Sequence, residues 1–285
     1  MPDHTAAPAD ADRLAQLIAG RRVAVLTGAG ISTDSGIPDY RSPDAPPRTP
    51  MTYQQFIGDD AFRQRYWARN HVGWRHLDAS RPNPGHRALA RLERLGIVTG
   101  LITQNVDLLH TKAGHRRVID LHGTYARVRC LGCGDLVSRM ALAERLEAAN
   151  PGFAETVTLT GVEVAPDADA VVDDTDSFRM LGCVRCGGML KPDIVYFGEN
   201  VPKERARAAY DLVDDAEVLL VAGSSLTVMS GLRFVRHAAK TGRPVVIVNR
   251  GRTRGHELAT LTVDAGCSPV LTALADRLTA SVAVS

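Results

Sequence analysis

The chain has 285 residues, of which 45% are hydrophobic and 23% are charged. This is the composition of a globular protein, and it excludes intrinsic disorder, collagen-like repeats and a coiled-coil rod. The length suggests about two domains. The formal net charge of +2 gives no general reason to expect binding to nucleic acid or to a membrane.

Short apolar runs alternate with helical patterns along the chain. Helices are predicted over 12–19, 53–80 and 85–95 and around 271–278, and strands over 23–26, 97–103, 118–121, 218–221 and 245–248. The stretch 38–50 contains five prolines, which predicts a loop.

This alternation predicts an α/β fold with a Rossmann-like parallel sheet that is buried on both faces. Ligands of open α/β sheets bind outside the carboxyl ends of the strands. Small and amide-bearing residues follow the predicted strands here and suit a nucleotide; they are Gly28, Ala29, Gly30, Gln104, Asn105, Gly223, Ser224, Ser225 and Asn249.

The first strand runs into the glycine loop Gly28-Ala29-Gly30-Ile31-Ser32-Thr33. Glycines allow backbone N–H groups to approach a pyrophosphate. Thr33 occupies the third glycine position of the dinucleotide fingerprint, and no acidic residue follows a second strand at the usual offset. The sequence therefore disfavours a hydride-transferring dehydrogenase, and a tight turn without a ligand remains an alternative for this loop.

Four of the five cysteines form two C-x-x-C pairs: Cys130, Cys133, Cys183 and Cys186. Glycine follows each pair and allows a tight turn. Four thiolates favour a closed structural zinc site over an iron–sulfur cluster or a redox dithiol. Cys267 has no nearby partner, and its default role is that of a small buried hydrophobe.

Two charged stretches differ in sign. Residues 63–94 contain eight arginines and two acids, whereas residues 147–177 contain eight acids and no lysine or arginine. The basic stretch predicts a solvated helix face in preference to a nucleic-acid surface. The acidic stretch is interpreted as part of an insertion that is partly loop.

His122 follows a predicted strand and precedes Gly123, at the same edge as the glycine loop. A lone histidine is more often a satisfied structural residue than a catalyst, but this position favours a catalytic role. Asn105 and Asp107 follow a neighbouring strand, where they suit sugar hydroxyls or a carboxamide, or cap the next helix.

Taken together, these motifs resemble the sirtuins, the NAD-dependent protein deacylases. The matching segments are Gly28–Ser32, Gly36–Arg41, Thr103–Asp107, Leu121–Gly123, both cysteine pairs, Lys191–Glu199 and Gly223–Leu226. The segments 66–70 and 81–84 look most like class II sirtuins.

The resemblance implies that NAD is a cosubstrate bound between a Rossmann-type domain and a smaller zinc-and-helix module. It assigns the phosphates to Gly28–Ser32 and Arg41, the nicotinamide carboxamide to Asp107, and the ribose to Asn105. It assigns the adenosine half to Ser224, Asn249 and the backbone of Cys267. Further cofactor contacts are expected at Ile31, Asp39, Tyr40, Gln104, Val106, Gly223 and Ser225.

The resemblance also implies an acyl-transfer reaction. The acyl-lysine oxygen displaces nicotinamide from the ribose, and His122 is the expected general base toward a ribose hydroxyl. Residues Ile194, Val195 and Phe197 are expected to pair with an acylated-lysine peptide as a β-strand. Tyr196 stands where Trp is common in family deacetylases.

Tyr66 and Arg69 form a Tyr-x-x-Arg pair. In one sirtuin branch such a pair reads acidic acyl groups, and a guanidinium can bind a carboxylate through two hydrogen bonds. The pair therefore suggests a preference for carboxyl-bearing acyl chains. The competing interpretation is that both side chains pack between helices.

Two other functions stay open at this point. The same residues suit a sirtuin-fold protein ADP-ribosyltransferase, and the cysteine pairs also suit a zinc-ribbon nucleic-acid-binding module on an NAD-sensing fold. Acylated-lysine proteins are the expected partners, without nucleic acid or membrane, and a monomer is favoured. Residues 1–12 match neither a signal nor a transit peptide, which predicts a cytoplasmic protein.

The domain organisation follows from the resemblance. The Rossmann-like NAD domain is expected in three segments, 1–50, 91–128 and 191–285. The smaller module is expected as a helical part, 51–90, and a zinc-binding part, 129–190.

Overall fold

The computed structural model describes residues 6–40, 50–156, 170, 172 and 174–284. Within these residues nine strands are present. They are β1 (Val23–Thr27), β2 (Val98–Thr103), β3 (Val118–Asp120), β4 (Gly123–Cys130), β5 (Leu136–Ser138), β6 (Leu190–Ile194), β7 (Val218–Ala222), β8 (Val245–Val248) and β9 (Leu261–Val263).

Ten α-helices alternate with these strands in the part of the chain that the structure describes. They are α1 (Ala6–Ile18), α2 (Tyr53–Gly58), α3 (Asp60–Ala79), α4 (Pro84–Arg94), α5 (Leu109–Lys112), α6 (Arg139–Ala149), α7 (Phe153–Thr156), α8 (Lys203–Asp214), α9 (Met229–Lys240) and α10 (Cys267–Val284).

Six strands form a parallel sheet in the order β3-β2-β1-β7-β8-β9. The central strands β1, β7 and β8 are buried at every residue, as expected for apolar runs covered on both faces. One face packs against α1, α4 and α10, and the other against α8 and α9. The predicted Rossmann-like fold is confirmed.

A second sheet of three antiparallel strands has the order β5-β4-β6. It shares an aromatic and aliphatic core with α2, α3 and α6. The predicted helical stretch 53–80 corresponds to α2 and α3, whereas α6 was not predicted. With β5 and α6, the cysteine region contains more regular structure than the partly looped insertion that we expected, and much of the acidic stretch lies outside the described residues. The strand β6 of the second sheet includes Lys191, Pro192 and Asp193, and this composition does not resemble a buried strand.

Local signals explain where the helices begin. Thr52 caps α2 in a capping box with Gln55, and Asn83 does the same for α4 with His86. Pro84 occupies the first turn of α4, where its missing N–H costs no helical hydrogen bond. Every helix of the described residues is too short or too polar to span a bilayer.

Candidate functional site

The glycine loop after β1 packs directly on the loop after β7. The Gly30 N–H donates to the Gly223 carbonyl at 2.8 Å. Gly223 has φ of +65°, and a Cβ there would lie 2.2 Å from the Ile31 nitrogen. A Cβ on Gly28 would lie 2.8 Å from that of Ser224. These glycines are therefore required by the contact between the two loops.

This contact narrows the expected role of the glycine loop. The N–H groups of Gly28, Gly30, Ile31 and Ser32 all donate to backbone carbonyls of the protein. Most of the donors that the resemblance assigned to phosphate are thus used within the fold. Ala29 remains the position of this loop whose N–H is best placed to serve a ligand.

Asn105 and Asp107 join the same loop through side-chain hydrogen bonds. The Asn105 amide donates to the Gly28 carbonyl and to Ser32 Oγ, each at 3.0 Å. Ser32 Oγ donates to Asp107 Oδ2 at 2.7 Å, and the Leu109 N–H donates to Asp107 Oδ1 at 2.9 Å. Burial raises the pKa of Asp107. Its remaining lone pairs suit an amide donor such as a carboxamide.

His122 is held by both ring nitrogens. Nδ1 lies 3.0 Å from the Gln104 carbonyl oxygen, and Nε2 lies 2.7 Å from Ser230 Oγ. Burial, together with the charges of Arg233 and Arg205, lowers the pKa of His122 to about 4, against the opposing effect of the Gln104 hydrogen bond. The imidazole is therefore neutral at pH 7, which is the form that accepts a proton.

The residues expected at the adenosine half follow β7 and β8. Ser224 Oγ donates to Gln104 Oε1 at 2.7 Å, so this hydroxyl already bridges two strand ends. Ser225 is half-buried beside Thr227, and the Asn249 amide donates to the Arg250 carbonyl at 2.7 Å. The thiol of Cys267 is buried and its pKa is raised to about 12, which fits a role through its backbone alone.

Three further cofactor residues were expected just beyond the glycine loop. Asp39 and Tyr40 are half-buried, and the Tyr40 ring meets Phe197 edge-on with centroids 6.4 Å apart. Arg41 lies outside the described residues. Val106 accepts a backbone hydrogen bond from Tyr125.

The segment expected to pair with a peptide lies directly after β6. The strand β6 ends at Ile194, and a single parallel bridge joins Phe197 to Thr52. The Val195 N–H donates to the His122 carbonyl at 2.7 Å, and the Tyr53 N–H donates to the Phe197 carbonyl at 2.9 Å. Phe197 is exposed. The segment after β6 is thus held by backbone hydrogen bonds to His122 and Tyr53, and it does not continue β6 as a regular strand.

Tyr66 and Arg69 lie on one face of α3. Tyr66 is buried, its hydroxyl is 3.2 Å from that of Tyr125, and its ring contacts Tyr196 edge-on at 5.6 Å. Arg69 Nε donates to the Ala170 carbonyl at 2.7 Å. Tyr66 therefore lies beside the segment that follows β6 and also packs in the core, whereas Arg69 is joined to Ala170.

The four paired cysteines converge on one point. Their sulfur atoms all lie within 4.8 Å of one another, with Sγ–Sγ distances of 3.5 Å for Cys130–Cys186 and 3.8 Å for Cys133–Cys183. Tetrahedral zinc with bonds of about 2.3 Å requires sulfur–sulfur distances of about 3.8 Å. The cluster fits a zinc ion.

A group of buried histidines lies beneath the site. The rings of His86 and His110 are 4.7 Å apart, and those of His110 and His115 are 5.2 Å apart. His110 Nε2 lies 3.0 Å from Thr27 Oγ1, which donates to Thr103 Oγ1. Burial lowers the pKa of each of the three imidazoles.

Sequence reasoning missed Ser230 and the histidine group. Ser230 lies on α9, and its partner His122 is 108 residues away. Nothing local in the sequence indicates that contact. His86 has a local signal in the capping box of α4, but its neighbours come from other elements.

Comparisons with known proteins agree with this geometry. The sequence profile of the Sir2 family matches residues 28–230. A Mycobacterium avium protein named NAD-dependent protein deacetylase 1 is 69% identical over 275 residues, covering 96% of this chain and 98% of the relative. A Streptomyces coelicolor protein of the same name is 54% identical, covering 90% and 86%.

Solved structures agree as well. A complex described as "Sir2-p53 peptide-NAD+" superposes with a TM-score of 0.73 at 29% identity, covering 96% of this chain and 98% of the other. A structure described as "Structural Basis for the Mechanism and Regulation of Sir2 Enzymes" gives a TM-score of 0.76 at 27% identity, covering 96% and 99%.

The cysteine cluster predicts the metal content. We expect one zinc per chain by elemental mass spectrometry, and we expect Cys186→Ser to lose it and to lower the melting temperature, because a structural site contributes folding free energy. Cys267→Ser is the matched control and keeps the metal. Full zinc occupancy in Cys186→Ser would contradict the assignment.

Buried neutral histidines predict loss of stability in acid. The pKa of His71 is lowered to about 4 and that of His86 to about 3, in both cases mainly by burial. An unfolded histidine takes a proton near pH 6.5, so stability falls as the pH drops from about 6.5 to about 4. Asp120, whose pKa burial raises to about 6, acts in the opposite direction.

We therefore expect the urea midpoint to be lower at pH 5 than at pH 7.5. His71 Nε2 lies 3.2 Å from Glu147 Oε2. Glutamine in place of His71 can still donate to Glu147 but does not titrate. The free energy of unfolding of His71→Gln should therefore fall less between pH 7.5 and pH 5, by roughly 1 to 2 kcal/mol. The quantity compared is the difference in unfolding free energy between pH 7.5 and pH 5, measured separately for the unmodified chain and for His71→Gln. Equal losses in the two proteins would exclude His71 as a source.

Proposed function

The chain belongs to the Sir2 family and is an NAD-dependent protein deacylase, and we propose that His122 is its general base. The observation that carries this proposal is the hydrogen bond between Nδ1 and the Gln104 carbonyl. A carbonyl oxygen only accepts, so Nδ1 carries the proton and Nε2 is left as the basic atom.

The proton balance of the reaction is simple. Nicotinamide leaves the ribose carbon, and the acyl oxygen of the substrate lysine takes its place. A ribose hydroxyl then attacks the acyl carbon and its proton passes to Nε2 of His122. The imidazolium returns that proton to the lysine nitrogen, which leaves as the amine. A water molecule adds at the acyl carbon in its place and gives up one proton, which leaves the acyl group as an ester on the ribose. At neutral pH His122 is already deprotonated, so no proton has to leave it first.

NAD is placed along the carboxyl edge of the large sheet. Asp107 and Asn105 receive the nicotinamide and its ribose, Ala29 and Arg41 the phosphates, and Asn249 with the Cys267 backbone the adenosine half. The support is the chemistry of the donor set: a buried carboxylate and an amide stand at one end of this edge, and a hydroxyl and a second amide at the other.

The acylated peptide is placed along Ile194–Phe197, next to His122. The support is the hydrogen bond from the Val195 N–H to the His122 carbonyl. This bond brings the extended segment against the backbone of the proposed base. Recognition through backbone hydrogen bonds gives affinity with little dependence on side chains.

The zinc site is structural in this proposal. Four thiolates leave no open position on a tetrahedral ion, and the cluster joins β4 to the loop before β6. The smaller module then consists of 51–90 and 129–190, and the NAD domain of 1–50, 91–128 and 191–285. Separate sheets and separate hydrophobic clusters support two units, but three of these bounds cut across the packing. Helix α4 packs on the large sheet although most of it falls within 51–90, and β4 and β6 belong to the smaller sheet although most of their residues fall within the NAD-domain segments.

We further place the protein with class II sirtuins and in the cytoplasm. Tyr66 lies against Tyr196, and Arg69 is one turn further along α3. The contact of Tyr66 with Tyr196, and the guanidinium of Arg69 one turn away, support a role for the pair in reading carboxyl-bearing acyl chains.

His122→Ala tests the base. We expect it to fold and to bind NAD, because the residue lies in a loop, and to lose most of the acyl-lysine turnover, on the order of 10²-fold or more. Nicotinamide release and product mass are the measurements, and the product mass also distinguishes acyl transfer from ADP-ribosylation of protein.

His237→Ala is the control for that experiment. His237 is likewise hydrogen-bonded, in its case to the carboxylate of Asp214, but it lies on the far part of α9. It should retain turnover. Turnover near that of the unmodified chain in His122→Ala would remove His122 from the mechanism.

A panel of acetyl-, succinyl-, glutaryl- and lipoyl-lysine peptides tests the acyl preference. If Arg69 binds the carboxylate, Arg69→Lys should lower the succinyl-to-acetyl ratio of kcat/KM about tenfold, because lysine lacks the planar fork. Arg65→Lys, on an exposed face of the same helix, should leave the ratio unchanged. A strong preference of the unmodified chain for acetyl-lysine would contradict the proposed preference for carboxyl-bearing acyl chains.

A further inference from the structure

The proton positions around His122 follow from its partners. The Gln104 carbonyl has no hydrogen, so Nδ1 must donate to it. Neutral His122 then has a lone pair on Nε2, and the hydroxyl that lies 2.7 Å away must donate to that lone pair. The donor is Ser230, which is 8% exposed.

The position of Ser230 is fixed by the start of α9. Gly231 lies so close to Gln104 that a Cβ there would be 2.7 Å from Gln104 Nε2. Ser224 Oγ donates to the other amide atom of the same side chain at 2.7 Å. One residue, Gln104, therefore orients His122 through its carbonyl and packs against the turn that presents Ser230.

We propose that Ser230 is a positioning residue that holds Nε2 of His122 in both protonation states. This rests on the proposed role of His122 as the base. While the ring is neutral, the Ser230 hydroxyl donates to Nε2. For the transfer, the Ser230 hydroxyl turns away from the lone pair of Nε2, which then faces the ribose hydroxyl. When the ribose proton arrives on Nε2, the Ser230 oxygen accepts from the new N–H, while the electron pair of the broken O–H bond stays on the ribose oxygen.

The exchange favours proton transfer because the second hydrogen bond is the stronger one. A hydrogen bond from an imidazolium is charge-assisted and about twice as strong as one between neutral groups. Two positive charges that face His122 oppose its protonation: Arg205 from α8 and Arg233 from α9. Asp193 is the nearby negative charge, and it pairs with Arg205 at 3.1 Å. Ser230 is the hydroxyl in contact with Nε2 that offsets this repulsion.

The test compares Ser230→Ala with Ser230→Thr in the full chain. Removing the hydroxyl should lower kcat about five- to tenfold with little change in the KM for NAD. It should also move the acid limb of the kcat profile down by about 0.5 to 1 pH unit, because the imidazolium loses its acceptor. Threonine keeps a hydroxyl and should restore both. Thr241→Ala, at the other end of α9, is the control for loss of a helix hydroxyl.

A second measurement does not depend on turnover. Nitrogen-15 NMR of the histidine rings should show the Nδ1–H tautomer for His122 and a lower pKa in Ser230→Ala than in the unmodified chain. The Nε2–H tautomer, or equal pKa values in the two proteins, would overturn the proposal. Loss of acyl transfer in the unmodified chain would instead contradict the proposed function, so the two failures are distinguishable.

Discussion

Two loops meet without side chains between them at the ends of β1 and β7, and the site is arranged around that contact. Gly30 donates to the carbonyl of Gly223, and a methyl group on Gly223 would overlap the backbone of Ile31. Because the two strands are neighbours in the sheet, their ends cannot move apart without losing this contact. The same loops carry Ser32 and Ser224, whose hydroxyls reach Asp107 and Gln104.

Side chains from three strand ends are thereby joined before any ligand binds. Thr27 of β1 links Thr103 of β2 to His110, and Asn105 returns to the Gly28 carbonyl. Among the described residues nearly every member of this buried network has a hydrogen-bond partner, His110 Nδ1 being an exception. Burial lowers the pKa of His86 and of His110, so the cost of burying these imidazoles appears at low pH. Rigidity of the site and the part of the acid sensitivity that comes from these two histidines thus have one physical origin, whereas His71 contributes from outside the network beside Glu147.

Much of the large sheet could be predicted from the sequence because its strands are buried on both faces and consist of apolar runs. The ends of β1, β2, β7 and β8 were predicted to within one residue. The strand β9 was not predicted, although β3, which has the same length, was. The strand β6 was not predicted either, because it contains Lys191 and Asp193. Both are buried, and they are satisfied by Glu199 and Arg205, which lie outside the strand.

The site was predictable where one residue type needs one backbone position, and not where two distant elements meet. The cysteine spacing predicted the four-cysteine cluster, and His122-Gly123 at a strand end predicted the residue that we propose as the base. No local pattern indicates Ser230, because its contact with His122 exists only after α9 has packed on the end of β2. The glycines of the glycine loop are required by its contact with Gly223, and their contact with a phosphate stays a prediction.

The segment after β6 shows how binding and chemistry are coupled. Its Val195 N–H donates to the carbonyl of His122, and its Phe197 carbonyl accepts from Tyr53 at the start of α2. The proposed peptide segment is therefore tied at one end to the proposed base and at the other to the helical part of the smaller module. A displacement of that segment must move the backbone of His122 or break a hydrogen bond with it. A peptide that settles along 194–197 would act on the orientation of the imidazole through the backbone, without touching the ring.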